Sequence, residues 1–284
     1  MKELQLRASA KINLSLKILG LREDRFHEID SVMQSISLSD AVILSERDSG
    51  IMVDCDDPAV PGGEKNLAYK AARSFLELSK VKKGVGISIK KTIPVAAGLA
   101  GGSADAAAVL IGLDTLFGAN LSKVQLSSIG AEIGSDVPFC LVGGRCRVRG
   151  RGELVEQMPV IPVMHFVVVV PEVEISTKWA YEEYDRWSMR TRGTIKSVKS
   201  GETFSETVHN DLEEAISSKY PQVSKVKRAL LNAGATVASM SGSGPSVFGM
   251  APDGKTADGI AAKMKNSYEK VFTARSGNYG VKVI

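Results

Sequence analysis

The stretch PVAAGLAGGSADAAAVLIGL, from Pro94 to Leu113, decides the reading of this chain, because a glycine-rich turn runs there straight into an alanine-rich helix. Gly98, Gly101 and Gly102 remove side chains where a ligand would meet backbone amides, and Ser103 stands as the N-cap of a helix expected from Ala104. The unpaired N–H groups of such a helix start, with the positive end of its dipole, favour an anion, and phosphate is the usual guest. The Lys-Ser/Thr ending of a Walker A loop is missing, and the spacing is not that of G-x-G-x-x-G. The turn reads as a phosphate loop of another type.

Upstream of it, Ile87 and Ile89 alternate with polar residues in a strand, Gly86 to Lys91, that delivers the chain into the turn. Asn66 is placed to cap the helix LAYKAARSFLEL, whose Leu67, Ala71, Phe75 and Leu78 fall on one face. Near the start, Ile12, Leu14, Leu16 and Ile18 alternate with Lys11, Asn13, Ser15 and Lys17. Lys11 and Asn13 therefore project together, from a face that is either solvated or functional. A charged turn carrying Phe26 and His27 leads into a second alternating segment with Val32, Ile36 and Leu38.

Downstream, Ser122 to Gly134 reads as a helix followed by GSDVPFCLVGG, in which Asp136 is the only acidic residue between Ile133 and Gly152. It either caps the turn before Pro138 or offers a carboxylate to chemistry. RCRVRGRGE sets Arg145, Arg147, Arg149 and Arg151 on one strand face, a ladder that is solvated or meets phosphates.

The character changes between Glu153 and Val160, which predicts two domains, 1–155 and 156–284. The second half opens on a buried strand, His165 to Val170, and a helix capped by Ser176 or Thr177 that reaches Asp185. The polar stretch Ser188 to Glu206 reads as a mobile connection. Helices follow at Asn210 to Lys219 and Pro221 to Asn232, then two strands in TVASMSGSGPSVFGMA joined by a second glycine-rich loop, Ser241 to Pro245. A helix from Thr256 to Tyr268 and a strand near Val271 to Ala274 complete an α+β pattern.

With 284 residues, 44% hydrophobic and 24% charged, the chain has the composition of an ordinary globular protein, which excludes disorder. The start MKELQLRASAK lacks the apolar core of a signal peptide, and the longest apolar run, Phe166 to Val170, is too short to span a bilayer. Cys55, Cys140 and Cys146 have neither zinc nor redox spacing and suit a reducing compartment, so a cytoplasmic protein is expected. A net charge of +4 is too mild to imply nucleic acid.

ASAKINLSLKILG, PVAAGLAGGSADAAA and SMSGSGPSVFG, ordered along the chain, resemble the three motifs of the GHMP kinases, which phosphorylate small alcohols. The spacers EKNLAYKAA, IGSDVPFCLVGG, GRGELVEQMP and NDLEEAI extend the resemblance over nearly the whole length, to the branch that phosphorylates a cytidine diphosphate sugar alcohol of the non-mevalonate isoprenoid route. It implies a two-layer α/β sandwich, with a ribosomal-protein-S5-like N-terminal lobe and a ferredoxin-like C-terminal lobe. It implies ATP and Mg2+ as cofactors, small-molecule partners, no nucleic acid or membrane, and a monomer or weak homodimer.

Carried onto this sequence, the resemblance makes Asp136 the general base and Lys11 the cation that keeps it ionised and offsets charge on the reacting oxygens. Pro94, Val95, Ala96, Ala97, Gly98, Leu99, Ala100, Gly101, Gly102, Ser103 and Ala104 would hold the ATP phosphates, Asn66 would meet adenine, and Ser103 would stand nearest the metal. Asn13 and His27 would bind the cytidine half, with Phe26 and Tyr181 stacking on the base, while Ser241 and Gly242 would line the cleft near the substrate diphosphate. Two residues depart from the family pattern: Arg25 replaces a glycine before Phe26, and Ala104 stands where a second hydroxyl is common. The nearest rival is a GHMP kinase of another alcohol, such as homoserine or mevalonate. A remoter one is an RNA-binding protein with an S5-like lobe, for which the arginine ladder would speak.

Overall fold

The structure is a computed structural model that describes residues 2–191 and 208–284. β1 (Glu3–Leu21) and β2 (His27–Arg47) form a long antiparallel pair, extended on β2 by β4 (Gly84–Lys90) with β3 (Ile51–Cys55) beyond it, and by β5 (Arg145–Gly150) with β6 (Leu154–Gln157) beyond it. Four helices lie on one face of this sheet: α1 (Leu67–Ser79), α2 (Gly101–Phe117), α3 (Lys123–Ile133) and α4 (Val137–Val142). Leu6, Val42, Leu44 and Ile87 of the strands meet Phe75, Val109, Leu110, Leu113 and Phe139 of the helices in one core. α2 touches α1, α3, α4, β1 and β2, so it is largely apolar and built of alanines that let its neighbours close in.

The second half of the chain supplies β7 (His165–Val170), α5 (Thr177–Thr191), β8 (His209–Asn210), α6 (Leu212–Lys219), α7 (Pro221–Ala233), β9 (Val237–Met240), β10 (Val247–Ala251), α8 (Gly254–Met264), β11 (Lys270–Arg275) and β12 (Val281–Val283), and with them a second sheet. That sheet runs β11-β7-β10-β9. The unbroken apolar run of β7 follows from burial on both faces. Val167 and Val169 face the helices, with Ile216, Val226, Leu230 and Ile260, while Phe166 and Val168 join Ile12, Leu14, Ile36 and Phe248 where the two sheets pack together.

Several boundaries differ from the sequence reading. β6 runs through residues 154–157 within the first sheet, β12 returns to pair Val283 with Leu6, and β8 pairs with β1. A cut at 155/156 therefore does not separate the sheets, because the chain end closes the first one. α1 buries Ala68, Ala71, Ala72 and Phe75 and leaves Leu78 exposed. α5 continues past Asp185 to Thr191, and residues 192–206 of the polar stretch lie outside the described residues. No helix among the described residues is long and apolar enough to cross a membrane.

Candidate active site

The turn before α2 forms a cradle. Ala96, Gly98 and Ala100 adopt φ of +53°, +74° and +58°, an alternation of left-handed residues that turns backbone amides toward a common concavity. Ser103 does not cap the helix as the sequence reading expects. α2 begins at Gly101 behind the left-handed Ala100, and Ala104 N–H already donates to the Ala100 carbonyl at 2.9 Å. Gly101, Gly102 and Ser103 thus supply the first-turn amides, which have no acceptor within the helix. Ala97, Leu99 and Ala104 are buried and fix the cradle from beneath, whereas Val95, Ala96 and Gly102 are exposed on its open side. Ala104 points into the helical core, so the hydroxyl it lacks would not face the cradle.

The same turn meets the other two motifs. Lys11 N–H donates to the Leu99 carbonyl (3.1 Å), and the Ser241 hydroxyl donates to the Gly98 carbonyl (3.0 Å) and accepts from Asn13 N–H (3.3 Å). Ser241 is fully buried, and its hydroxyl locks the three loops together. Gly242 lies over the lysine: a Cβ there would stand 3.1 Å from Lys11 Nζ. Interruptions of the β1/β2 register flank Lys11 and Asn13, as bulges that re-aim side chains commonly do beside active sites.

Lys11 and Asn13 are 3% and 2% exposed, so the face they share is buried rather than solvated. Lys11 Nζ donates to Asn13 Oδ1 at 2.6 Å and stands 3.6 Å from Asp136 Oδ2. Asn13 Nδ2 donates to the Ser31 hydroxyl at 2.9 Å, which fixes the amide with its oxygen toward the lysine. Asp136 occupies the cap position of α4 and makes no capping bond with its side chain. Its carboxylate is partly exposed, beside the buried ammonium. Tyr181 lies within its field: burial, reinforced by the Asp136 charge, pushes the phenol pKa up.

His27 stacks on Tyr181 with ring centroids 4.8 Å apart, and its Nε2 bonds Asp185 Oδ1 at 2.8 Å. One face of Tyr181 is therefore covered by His27. Phe26 is exposed, with the Arg151 guanidinium 5.1 Å from its ring centroid. Arg25 takes φ +65°, a left-handed conformation that costs a residue with a Cβ about 1 kcal/mol or more. Asp24 Oδ1 accepts from Phe26 N–H and braces that turn, which keeps the glycine-type shape without the glycine. Asn66 caps α1 through Ala68 N–H and donates to the Pro61 carbonyl, which holds the 61–66 turn.

Residues 66–144 match the family model described as the GHMP kinases N terminal domain, and residues 194–270 match GHMP kinases C terminal. The 4-diphosphocytidyl-2-C-methyl-D-erythritol kinase of Acetivibrio thermocellus is 43% identical over 282 residues, covering 97% of this chain and 100% of its own. The chain belongs to this family of GHMP kinases. The kinase of the same name from Gloeobacter violaceus is 44% identical over 92% of this chain and 90% of its own. A crystal structure of 4-(cytidine 5'-diphospho)-2C-methyl-D-erythritol kinase superimposes with a TM-score of 0.81 at 30% identity, covering 96% of this chain and 99% of that one.

The kinase also uses residues that pattern reading does not single out. Asn210 is buried; its Nδ2 donates to the carbonyls of Met240 (2.9 Å) and Gly242 (2.8 Å), and its Oδ1 accepts from Leu212 N–H. It carries the third loop, and Asn210→Ala is expected to destabilise the protein by about 2–4 kcal/mol in urea unfolding, the range for a buried network losing several bonds. Beneath the cradle, Lys91 is clasped by Asp40 and Asp105, three buried charges within an otherwise apolar layer. Burial pushes the Asp105 carboxyl pKa up; Lys91 opposes the shift and Asp40 reinforces it. The arginine ladder is answered by carboxylates: Arg147 forms a two-pronged pair with Asp30, and Arg149 reaches Glu156. The charge of Arg147 and Arg149 is thereby offset on the protein's own surface, while Arg151 donates instead to the Ala131 carbonyl at 3.0 Å.

Proposed function

We propose that this protein transfers the γ-phosphoryl group of ATP to the C2 hydroxyl of 4-diphosphocytidyl-2-C-methyl-D-erythritol, in the non-mevalonate route to isoprenoid precursors. The observation that carries the reading is the Lys11–Asp136 pair, 3.6 Å apart at the junction of all three motifs and next to the amide cradle. Bound ATP with Mg2+ supplies the phosphoryl group and neutralises charge on the phosphates. The amides of Gly101, Gly102 and Ser103, with the left-handed turn before them, suit those phosphates, and the Ser103 hydroxyl would be available to the metal. Among the described residues no cluster of three His, Cys, Asp or Glu side chains is arranged to hold an ion by itself.

Asp136 Oδ2 takes the hydroxyl proton, and Lys11, held by Asn13, stabilises the oxygen charge that develops as the proton leaves. His27, Tyr181 and Phe26 receive the cytidine half, while Asp185 orients the imidazole. A coupled ADP-release assay comparing the cytidine substrate with homoserine and mevalonate tests the assignment. Turnover of the cytidine substrate alone supports it; turnover only of another alcohol overturns it. His27→Ala is expected to raise KM for the cytidine substrate about tenfold, the worth of one hydrogen bond of about 1.4 kcal/mol, with KM for ATP within about twofold. Equal effects on both Michaelis constants would make His27 a structural residue.

A further inference from the structure

Lys91, Asp40 and Asp105 form a charge cluster that the phosphoryl-transfer chemistry does not call for. Lys91 Nζ donates to Asp40 Oδ2 at 2.5 Å and to Asp105 Oδ2 at 2.8 Å, and all three side chains are at most 5% exposed. Asp40 Oδ1 also accepts from the N–H groups of Thr92 (2.6 Å) and Ile93 (2.8 Å). Asp105 Oδ1 is buried and accepts no hydrogen bond among the described residues. Two carboxylates around one ammonium, with an oxygen left over, is an unfavourable way to fill a core, since well-packed apolar residues of like volume stabilise as well or better.

The cluster's position supplies a reason for it. Asp40 belongs to β2, Lys91 to Ile93 is the chain that enters the cradle, and Asp105 sits on α2 just beyond the first-turn amides. A Cβ on Gly101 would stand 3.2 Å from Lys91 Nζ, so the ammonium lies directly under the residue that starts the helix. The three contacts therefore join the sheet, the approach to the cradle and the helix whose N-terminus completes it.

We propose that Asp105 and Asp40, acting through Lys91, are positioning residues for the ATP phosphates: they hold the start of α2 at a set distance from the end of β4, so that the cradle amides converge. The proposal rests on the reading of the cradle as the nucleotide phosphate site. It distinguishes this cluster from a plain structural strut, which would change stability and leave nucleotide affinity in the folded protein as it was.

Two variants test it in the full-length protein. Asp105→Asn keeps the shape and weakens the grip on Lys91, while Asp105→Leu removes it. KM for ATP is expected to rise about fivefold in the first and about thirtyfold or more in the second, with kcat and KM for the cytidine substrate within about twofold. Calorimetric titration with ADP should show the same ranking without turnover. Folded variants with unchanged ATP and ADP affinity would overturn the proposal, as would loss of the fold in both, which would mark a structural strut. If only Asp105→Leu fails to fold, Asp105→Asn decides. Hydrogen exchange of the wild type with and without ADP separates the underlying reading: absence of protection at Gly101, Gly102 and Ser103 would refute the cradle itself, whatever the variants do.

Discussion

Asp136→Asn is expected to lower kcat by roughly 10²–10⁴-fold, the usual worth of a positioned acid–base group, and to leave KM for ATP near that of the wild type. The amide matches the carboxylate in shape but cannot take the substrate proton. The substitution is also mild for the fold. Asp136 makes no capping bond for α4, and Lys11 keeps its 2.6 Å bond to Asn13 Oδ1, so a stability loss of about 1 kcal/mol is expected. Single-turnover kinetics separate the chemical step from product release. Turnover near wild type would remove Asp136 from its role, and a parallel fall in ATP affinity would place it in nucleotide binding instead.

What could be read in the chain beforehand depended on how local its cause was. Asn66, Ser122, Pro221 and Gly234 mark helix ends through bonds or backbone angles confined to one turn, and each stands at the end of a helix in the structure. The glycine loop was legible for the same reason. Its details were not: that α2 starts at Gly101 depends on the left-handed Ala100, a conformation no local pattern announces for alanine. The alternation in β1 located Lys11 and Asn13 on one face, but whether that face is wet depends on the loop around Gly242 closing over it from a distant part of the chain. The locking role of the Ser241 hydroxyl was hidden for a similar reason, since its partners Gly98 and Asn13 come from both other motifs.

Strands that exist only through distant pairing were also hidden. β12 is three residues long and owes its conformation to β1, and β8 is shorter still. Asp105 illustrates the problem at a single residue. An acidic side chain in an alanine-rich helix looks like its solvated edge, yet this one points inward to Lys91, whose position comes from the end of a strand in another part of the sheet. A buried carboxylate declares itself only once its cation is placed.

Gly98→Ala is the substitution expected to do most damage to the site's architecture. Gly98 has φ +74°, and a Cβ there would stand 2.3 Å from the Ser241 carbonyl oxygen and 2.9 Å from that of Gly244. Both oxygens belong to backbone in the tight third loop, where Gly244 N–H already donates to the Ser241 carbonyl, so no side-chain rotation relieves the clash. The loops must separate, and the Ser241 link between Gly98 and Asn13 goes with them. Loss of about 3–5 kcal/mol in urea unfolding is expected from overpacking, left-handed strain and the broken link together. The folded fraction should show kcat/KM down by about 10²-fold or more, as displacements near 1 Å at a positioned site do. Gly118→Ala is the matched control. Gly118 also has positive φ, +62°, but a Cβ there meets nothing within 4 Å. Its loss should be about 1 kcal/mol from backbone strain alone, with activity unchanged. The difference between the two variants then reports the contact of cradle with third loop, free of the cost of a left-handed alanine. If they lose stability equally, the loops are not in the contact that joins the phosphate cradle to Lys11.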